Sequence, residues 1–205
     1  MKKPEKKESL SQKAYDWIFD NLMQKKIKAG EIINRRDIAK KINLSLAPVA
    51  EAMMKLENDG FLMTLPRSGT LVRGVDAATV RNLLVLRIAI EVQAARMYAS
   101  KIPEKAYKKL FLLAQKMDNV KTSNINWKLE VQFHSALVEL SGCGSLISVF
   151  ESVMKRSLFY SVYEIFPNDT PASHKKLLEN LNNATKTEAE KLIREHIAKR
   201  ADLDT

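Results

Sequence analysis

Only one cysteine, Cys143, occurs in the chain. That excludes an internal disulfide and points to a reducing compartment, the cytoplasm. No apolar run approaches the ~20 residues of a membrane span, so no membrane is expected as a partner. The N-terminal MKKPEKKE is charged but leads into no apolar core. Residues 1–8 therefore read as a disordered tail and not as a signal peptide. After residue 75 there is neither an alternating strand pattern nor an internal repeat. Histidine is scarce: His134, His174 and His196 are the complete set. Charge asymmetry is missing too. The net charge is +10, yet residues 1–76 hold 15 basic and 10 acidic side chains and the remainder 19 and 14. A basic patch can rest only on local clusters: Lys25-Lys26-x-Lys28, Arg35-Arg36, Lys40-Lys41, Lys55 and Arg67. A solvated face is the plain alternative for these lysines.

At 205 residues, 45% hydrophobic and 28% charged, the chain has a globular composition, with room for one large domain or two small ones. Residues 34–73 carry the clearest pattern. A short helix is expected over Arg35–Lys41, with Ile38, Ala39 and Ile42 at the spacing of a buried face. Asn43-Leu44-Ser45 makes a turn, and Ser45 is expected to cap the next helix by accepting a hydrogen bond from a free amide. Pro48 falls in that helix's first turn, where a missing N–H is tolerated. Val49, Ala52, Met53 and Leu56 form its buried face, and Asp59-Gly60 ends it. Phe61–Thr64 and Thr70–Arg73 are expected as the two strands of a wing around Pro66-Arg67-Ser68-Gly69. Such a unit serves to lay its second helix in the major groove of duplex DNA.

A preceding helix is expected over Ser9–Lys26, its apolar stripe built on Ala14, Ile18 and Leu22. Beyond a linker at Gly74-Val75-Asp76, in which Asp76 can cap the next helix, everything reads helical. Helices are expected over Ala77–Ser100, from Pro103 to about Lys121, and from a cap at Ser123 or Asn124 to Ser141-Gly142. Two more run from about Ser145 to Phe166, before Pro167, and from Thr170-Pro171 to about Asn183. The last opens with Thr187-Glu188-Ala189-Glu190 as a capping box. The expected fold class is mainly α. A winged helix-turn-helix over residues 1–75 precedes an all-α bundle of six, or seven, helices over 76–205.

The first domain resembles the winged helix-turn-helix of GntR-type bacterial transcription regulators. The residues that carry this are Ala29-Gly30, Asp37-Ile38-Ala39, Ser45-x-x-Pro48-Val49-x-x-Ala52, Leu56-x-x-Asp59-Gly60-Phe61 and Gly69-Thr70-x-Val72. The resemblance implies double-stranded DNA as a partner. The contacts would come from Arg35 and Arg36, from Ser45, Leu46, Ala47 and Ala50 at the start of the second helix, from Lys55, and from Arg67, Ser68 and Gly69 of the wing. One departure is marked. The family usually places base-reading arginines where this chain has Leu46 and Ala50.

Each histidine falls in an expected helix of the bundle. Glu130 and His134 are four apart and leave the same face of one helix. A carboxylate with histidines suits zinc and its first-row neighbours, although a partly exposed helical histidine is the ordinary reading of any one of them. Arg87 shares a stripe with Val80, Leu83 and Leu84, so it is expected to point inward, where it needs a partner. Either Glu91, four residues on, pairs with it, or its planar fork takes an effector carboxylate. Tyr160 and Tyr163 read as core. The order Leu86-Arg87-x-x-x-Glu91, Glu130-x-x-Phe133-His134-x-x-Leu137, His174-x-x-Leu177, His196 resembles the FCD effector domain of FadR-type members of the same group. That resemblance implies one divalent metal, zinc first with nickel or manganese as alternatives, on Glu130, His134, His174 and His196. It also implies a small organic-acid effector held beside the metal, with Arg87 and, second, Arg156 as its partners. Glu130 stands where the family has Asp, and Cys143 where it often has Asn.

The resulting expectation is a ligand-responsive transcription regulator acting as a homodimer, and not an enzyme. Two other classes stay open. A metal hydrolase could hold a water on three histidines and a carboxylate. A helical sensor could have lost its DNA contact, as Leu46 and Ala50 allow. Salt-dependent DNA binding separates the first class from the last, and turnover of an ester or phosphodiester would favour the hydrolase.

Overall fold

Ser9 opens the first helix by accepting a hydrogen bond from the Gln12 amide at 3.1 Å, and α1 runs Leu10–Met23. The computed structural model describes residues 9–74, 76–119, 127–163 and 173–198; the expected N-terminal tail lies outside them. The chain divides into two units, Met1–Val75 and Asp76–Thr205. In the first, α1 ends three residues before the expected Lys26, because Lys25 turns into the left-handed region with φ 55°. Its buried face, with Tyr15, Ile18, Phe19 and Leu22 fully enclosed, packs on the helix α3 (Leu46–Asn58). Phe19 meets Phe61 at a ring-centroid distance of 4.8 Å, which ties α1 to the chain just before the wing. Truncating either ring would cost about 3–5 kcal/mol.

Helix α2 (Arg35–Ile42) is capped by the Asn34 side chain, which accepts from the Arg36 amide at 2.8 Å. It stops at Asn43, again left-handed at φ 53°, a conformation asparagine tolerates well. Ser45 departs from expectation. It precedes α3 with extended backbone but makes no side-chain cap bond. The cause is local: Pro48 is the third helical residue and has no N–H to give, so one of the two amides a capping serine uses is absent.

The wing holds three strands where the sequence predicts two. They are β1 (Ile32–Ile33), β2 (Leu62–Leu65) and β3 (Gly69–Val72), antiparallel in the order β1-β3-β2. Against expectation β2 starts one residue later and β3 one residue earlier, and Leu65 pairs with Gly69. Gly69 has φ +121°, and a Cβ there would meet Cγ2 of Ile32 at 2.8 Å. Only glycine lets β1 lie so close. Glu57 of α3 accepts from the amide and hydroxyl of Thr64 in β2, at 2.7 and 2.8 Å, bracing helix to wing.

The second unit contains six helices among its described residues: α4 (Ala77–Tyr98), α5 (Glu104–Asp118), α6 (Trp127–Glu139), α7 (Gly144–Tyr163), α8 (His174–Asn183) and α9 (Lys186–Ala198). The mainly α class is thus the one the sequence predicts. Asp76 caps α4, accepting from the Thr79 amide at 2.8 Å. Helix α4 packs on α6, α7 and α9, while α5 packs on α6 and α8. Helix α5 stops at Asp118, short of Lys121. The expected caps at Ser123 or Asn124, the stop at Phe166-Pro167 and the start at Thr170-Pro171 fall outside the described residues. The capping box of α9 is displaced by two residues. Thr185 and Glu188 form it, with amide bonds of 2.8 and 3.3 Å in the two directions. Glu190, expected in that role, instead bonds Arg96 of α4 at 2.8 Å and Arg194 at 3.0 Å. Among the described residues no helix is long and apolar enough to cross a membrane.

Candidate nucleic-acid interface and metal centre

In the first unit a cleft of about 370 Å³ opens between the start of α3 and the wing. Leu46 and Ala50 of α3 line one side, Leu65, Pro66 and Arg67 the other, and Arg35 and Arg36 its end. No salt bridge among the described residues holds Arg35, Arg36 or Arg67, so three exposed guanidinium groups remain available to an anionic surface. Arg67 sits at φ 65° in a tight turn, with Pro66 before it and the Ser68 amide donating to the Leu65 carbonyl at 3.1 Å. This is the position of a type II turn that favours glycine or asparagine. An arginine held there stores local strain where the wing turns. Ser45, Ala47 and Ser68 are exposed but lie outside the cleft lining.

In the second unit α6, α8 and α9 bring the three histidines together. One nitrogen from each of His134, His174 and His196 lies within 4.8 Å of the others, and all three rings are buried. Glu130 reaches across, its two carboxylate oxygens 3.6 Å from Nε2 of His134 and 3.5 Å from Nε2 of His174. Phe133 closes the site with its ring set edgewise to His134 and His174, at 5.4 and 5.2 Å.

Two carboxylates behind the rings orient them. Glu91 of α4 accepts from Nδ1 of His134 at 2.7 Å, which leaves Nε2 as the lone-pair nitrogen facing the cluster. Burial alone would raise the Glu91 carboxyl, but His134 and Arg87 outweigh it and bring it down to about 2. Asp118, at the end of α5, accepts from the amides of His174 and Lys175 at 3.0 and 3.2 Å and stands 3.5 Å from Nδ1 of His174. The residues fit a metal ion. The Nε2 atom of His174 is buried without a hydrogen-bond partner, which ordinary packing avoids and ligation would resolve. The three imidazoles are a donor set for first-row divalent ions, while Glu130 stands beside two of them and outside the group whose ligand atoms all lie within 4.8 Å of one another.

Comparison with known proteins places both halves. Residues 10–72 match the gntR family of bacterial regulatory proteins, and residues 82–199, more than half the chain, match the FCD domain. The chain belongs to the FCD-domain group of the gntR family. The Nta operon transcriptional regulator of Aminobacter aminovorans is 31% identical over 132 residues, 63% of each chain. The transcriptional repressor RspR of Escherichia coli is 28% identical over 137 residues, 65% of this chain and 60% of that one. These matches span about three fifths of the relatives' own lengths. The E. coli McbR/YncC structure shares the fold, with a TM-score of 0.72 at 18% identity over 95% of this chain and 94% of that one.

Within the FCD domain, Arg87 is 3% exposed and bonds Glu91 at 2.6 Å, the i, i+4 partner named from the sequence. Its Nη2 also lies 3.3 Å from Nε2 of His134. Arg156 is half-buried, with an Nε that has no hydrogen-bond partner. Tyr160 is buried. Lys55, expected at the DNA face, is turned the other way. It bonds Gln12 at 3.0 Å and lies over the Tyr15 ring at 4.7 Å, both on α1. Its stem and charge are used inside the unit. Sequence reading missed Asp118 and the bond from Glu91 to His134. Both act across more than 40 residues of chain, where no local spacing reports them.

Proposed function

We propose that this chain is a transcription regulator that binds duplex operator DNA through the cleft between α3 and the wing, and that a small organic acid in its FCD domain alters that affinity. The supporting observation is the pairing on one chain of an arginine-rimmed cleft beside a helix-turn-helix and a buried three-histidine cluster in a separate helical unit. Both curated relatives carry the names of transcriptional regulators, which favours regulation over catalysis. Arg35, Arg36 and Arg67 would meet phosphates, with Ser45, Leu46, Ala47 and Ala50 toward the groove and Ser68 and Gly69 at the wing. Lys55 is left out of this set because α1 engages it.

His134, His174 and His196, completed by Glu130, would hold one divalent ion, zinc by preference and nickel or manganese by the same donor chemistry. Held by the three histidines, such an ion would take a carboxylate oxygen if Glu130 yielded its place or the ion's coordination expanded beyond four. Arg87 and Arg156 supply guanidinium forks for the acid's charge. For the acid to change DNA affinity it must bind the DNA-competent and incompetent arrangements unequally. A homodimer in the cytoplasm is part of this reading. Val85 and Leu86 on α4 and Val149 on α7, which packs on α4, are exposed apolar side chains that a second copy could cover.

Fluorescence anisotropy against a random duplex pool tests the DNA half, with log affinity expected to fall by about 0.9 per phosphate contact for each unit of log salt. Absence of binding to any duplex at low salt would remove the reading. Elemental analysis of protein purified without a histidine tag tests the metal half. If no metal is found and none added shifts the melting curve, the cluster is ordinary packing.

A further inference from the structure

From the surface of α3 we infer that the recognition helix selects its site by the 5-methyl groups of thymine, through an apolar stripe flanked by arginines. This rests on the DNA-binding reading above and names the feature of the base that it detects. Leu46 and Met54 are 51% and 57% exposed, and Ala50 stands between them at helical spacing. The stripe runs along the flank of the helix beside its core residues Val49, Ala52, Met53 and Leu56, yet Leu46 and Met54 stay exposed. Leu46 and Ala50 enter the cleft whose rim carries Arg35, Arg36 and Arg67.

The chemistry of these side chains narrows what they can detect. Leucine, alanine and methionine carry no strong donor, so they cannot bond the O6 and N7 acceptors that distinguish guanine in the major groove. The apolar feature on an ordinary base edge in that groove is the thymine methyl. The arginines at the rim supply the complementary charge for phosphates on either side, which positions the stripe without reading sequence. A wholly apolar protein partner fits less well, because it would have to desolvate three guanidinium groups without compensation.

The experiment uses the full chain as purified. Its best-bound duplex is selected from a random pool, and each thymine is then replaced singly by deoxyuridine, which removes only the methyl group. Anisotropy titrations should show one or more positions per half-site where the replacement weakens binding about 4-fold. That is the ~0.8 kcal/mol of one buried methylene converted at 1.4 kcal/mol per decade. Leu46→Ala, a change at an exposed position, should abolish the thymine–deoxyuridine difference at one of these positions. Tight, sequence-selective binding with no sensitivity to deoxyuridine would overturn the inference and leave the regulator reading standing. Failure to bind any duplex would instead overturn the regulator reading itself, and this inference with it.

Discussion

Nη2 of Arg87 lies 3.3 Å from Nε2 of His134, the nitrogen that Glu91 turns toward the histidine cluster. A metal ion on that nitrogen and the arginine would compete for one lone pair. Arg87→Met should therefore bind zinc more tightly than the wild type. The same change leaves Glu91 short of a buried partner, so the metal-free protein should lose about 3 kcal/mol or more of stability. Melting curves with and without zinc check both effects, and a smaller zinc-induced shift than in the wild type would contradict the competition.

Glu91 itself should matter without touching the ion. Glu91→Gln keeps the size of the side chain but weakens its hold on Nδ1 of His134. Loss of such an outer partner typically lowers metal affinity 10–100-fold. Competition against a chromogenic chelator measures this, and unchanged affinity would mean that His134 is oriented by packing alone.

How much of this was legible in the residues divides along chain distance. The helix-turn-helix announced itself through local spacing, and the predicted cap at Asp76 rests on a neighbour three residues away. Ile32 and Ile33 were not read as a strand, because two residues cannot display an alternation. The α9 capping box slipped by two because Thr185 and Thr187 each precede a glutamate by three, and only packing chooses between them. At the candidate centre the histidines could be named from scarcity and resemblance. The carboxylates that aim them could not, since Glu91 and His134 are brought together by α4 and α6 packing.

Arg67 sets stability against function. Glycine would relieve its positive φ, so Arg67→Gly should raise the stability of the winged unit by about 1 kcal/mol, judged by denaturant midpoint. The same variant should bind DNA more weakly, with a salt dependence shallower by about 0.9 in the log–log slope. A variant that is both less stable and unchanged in DNA affinity would contradict this account of the wing.

The brace between α3 and the wing should respond to acid. Hydrogen bonds from the amide and hydroxyl of Thr64, aided by Arg73 and Arg35, hold the Glu57 carboxyl below its ordinary value of 4.5. A carboxyl lowered on folding contributes stability above its unfolded value and loses it as pH falls through the lower, folded value. The winged unit should therefore weaken as pH drops below about 4.5. Glu57→Gln should be less stable at neutral pH and show a flatter decline over that range. Urea titrations at a series of pH values distinguish the two profiles.

The three histidines also bear on the topology of unfolding. With a single cysteine the chain cannot close itself covalently, yet His134 and His196 are 62 residues apart in sequence (196 minus 134) and meet at one point. An ion held there would act as a removable clasp across that loop. A permanent cross-link closing a loop of such length restricts the unfolded chain by ~4 kcal/mol. Folding of the helical unit would thereby depend on the free metal concentration around it, while the winged unit, which shares none of these ligands, would keep its own melting point.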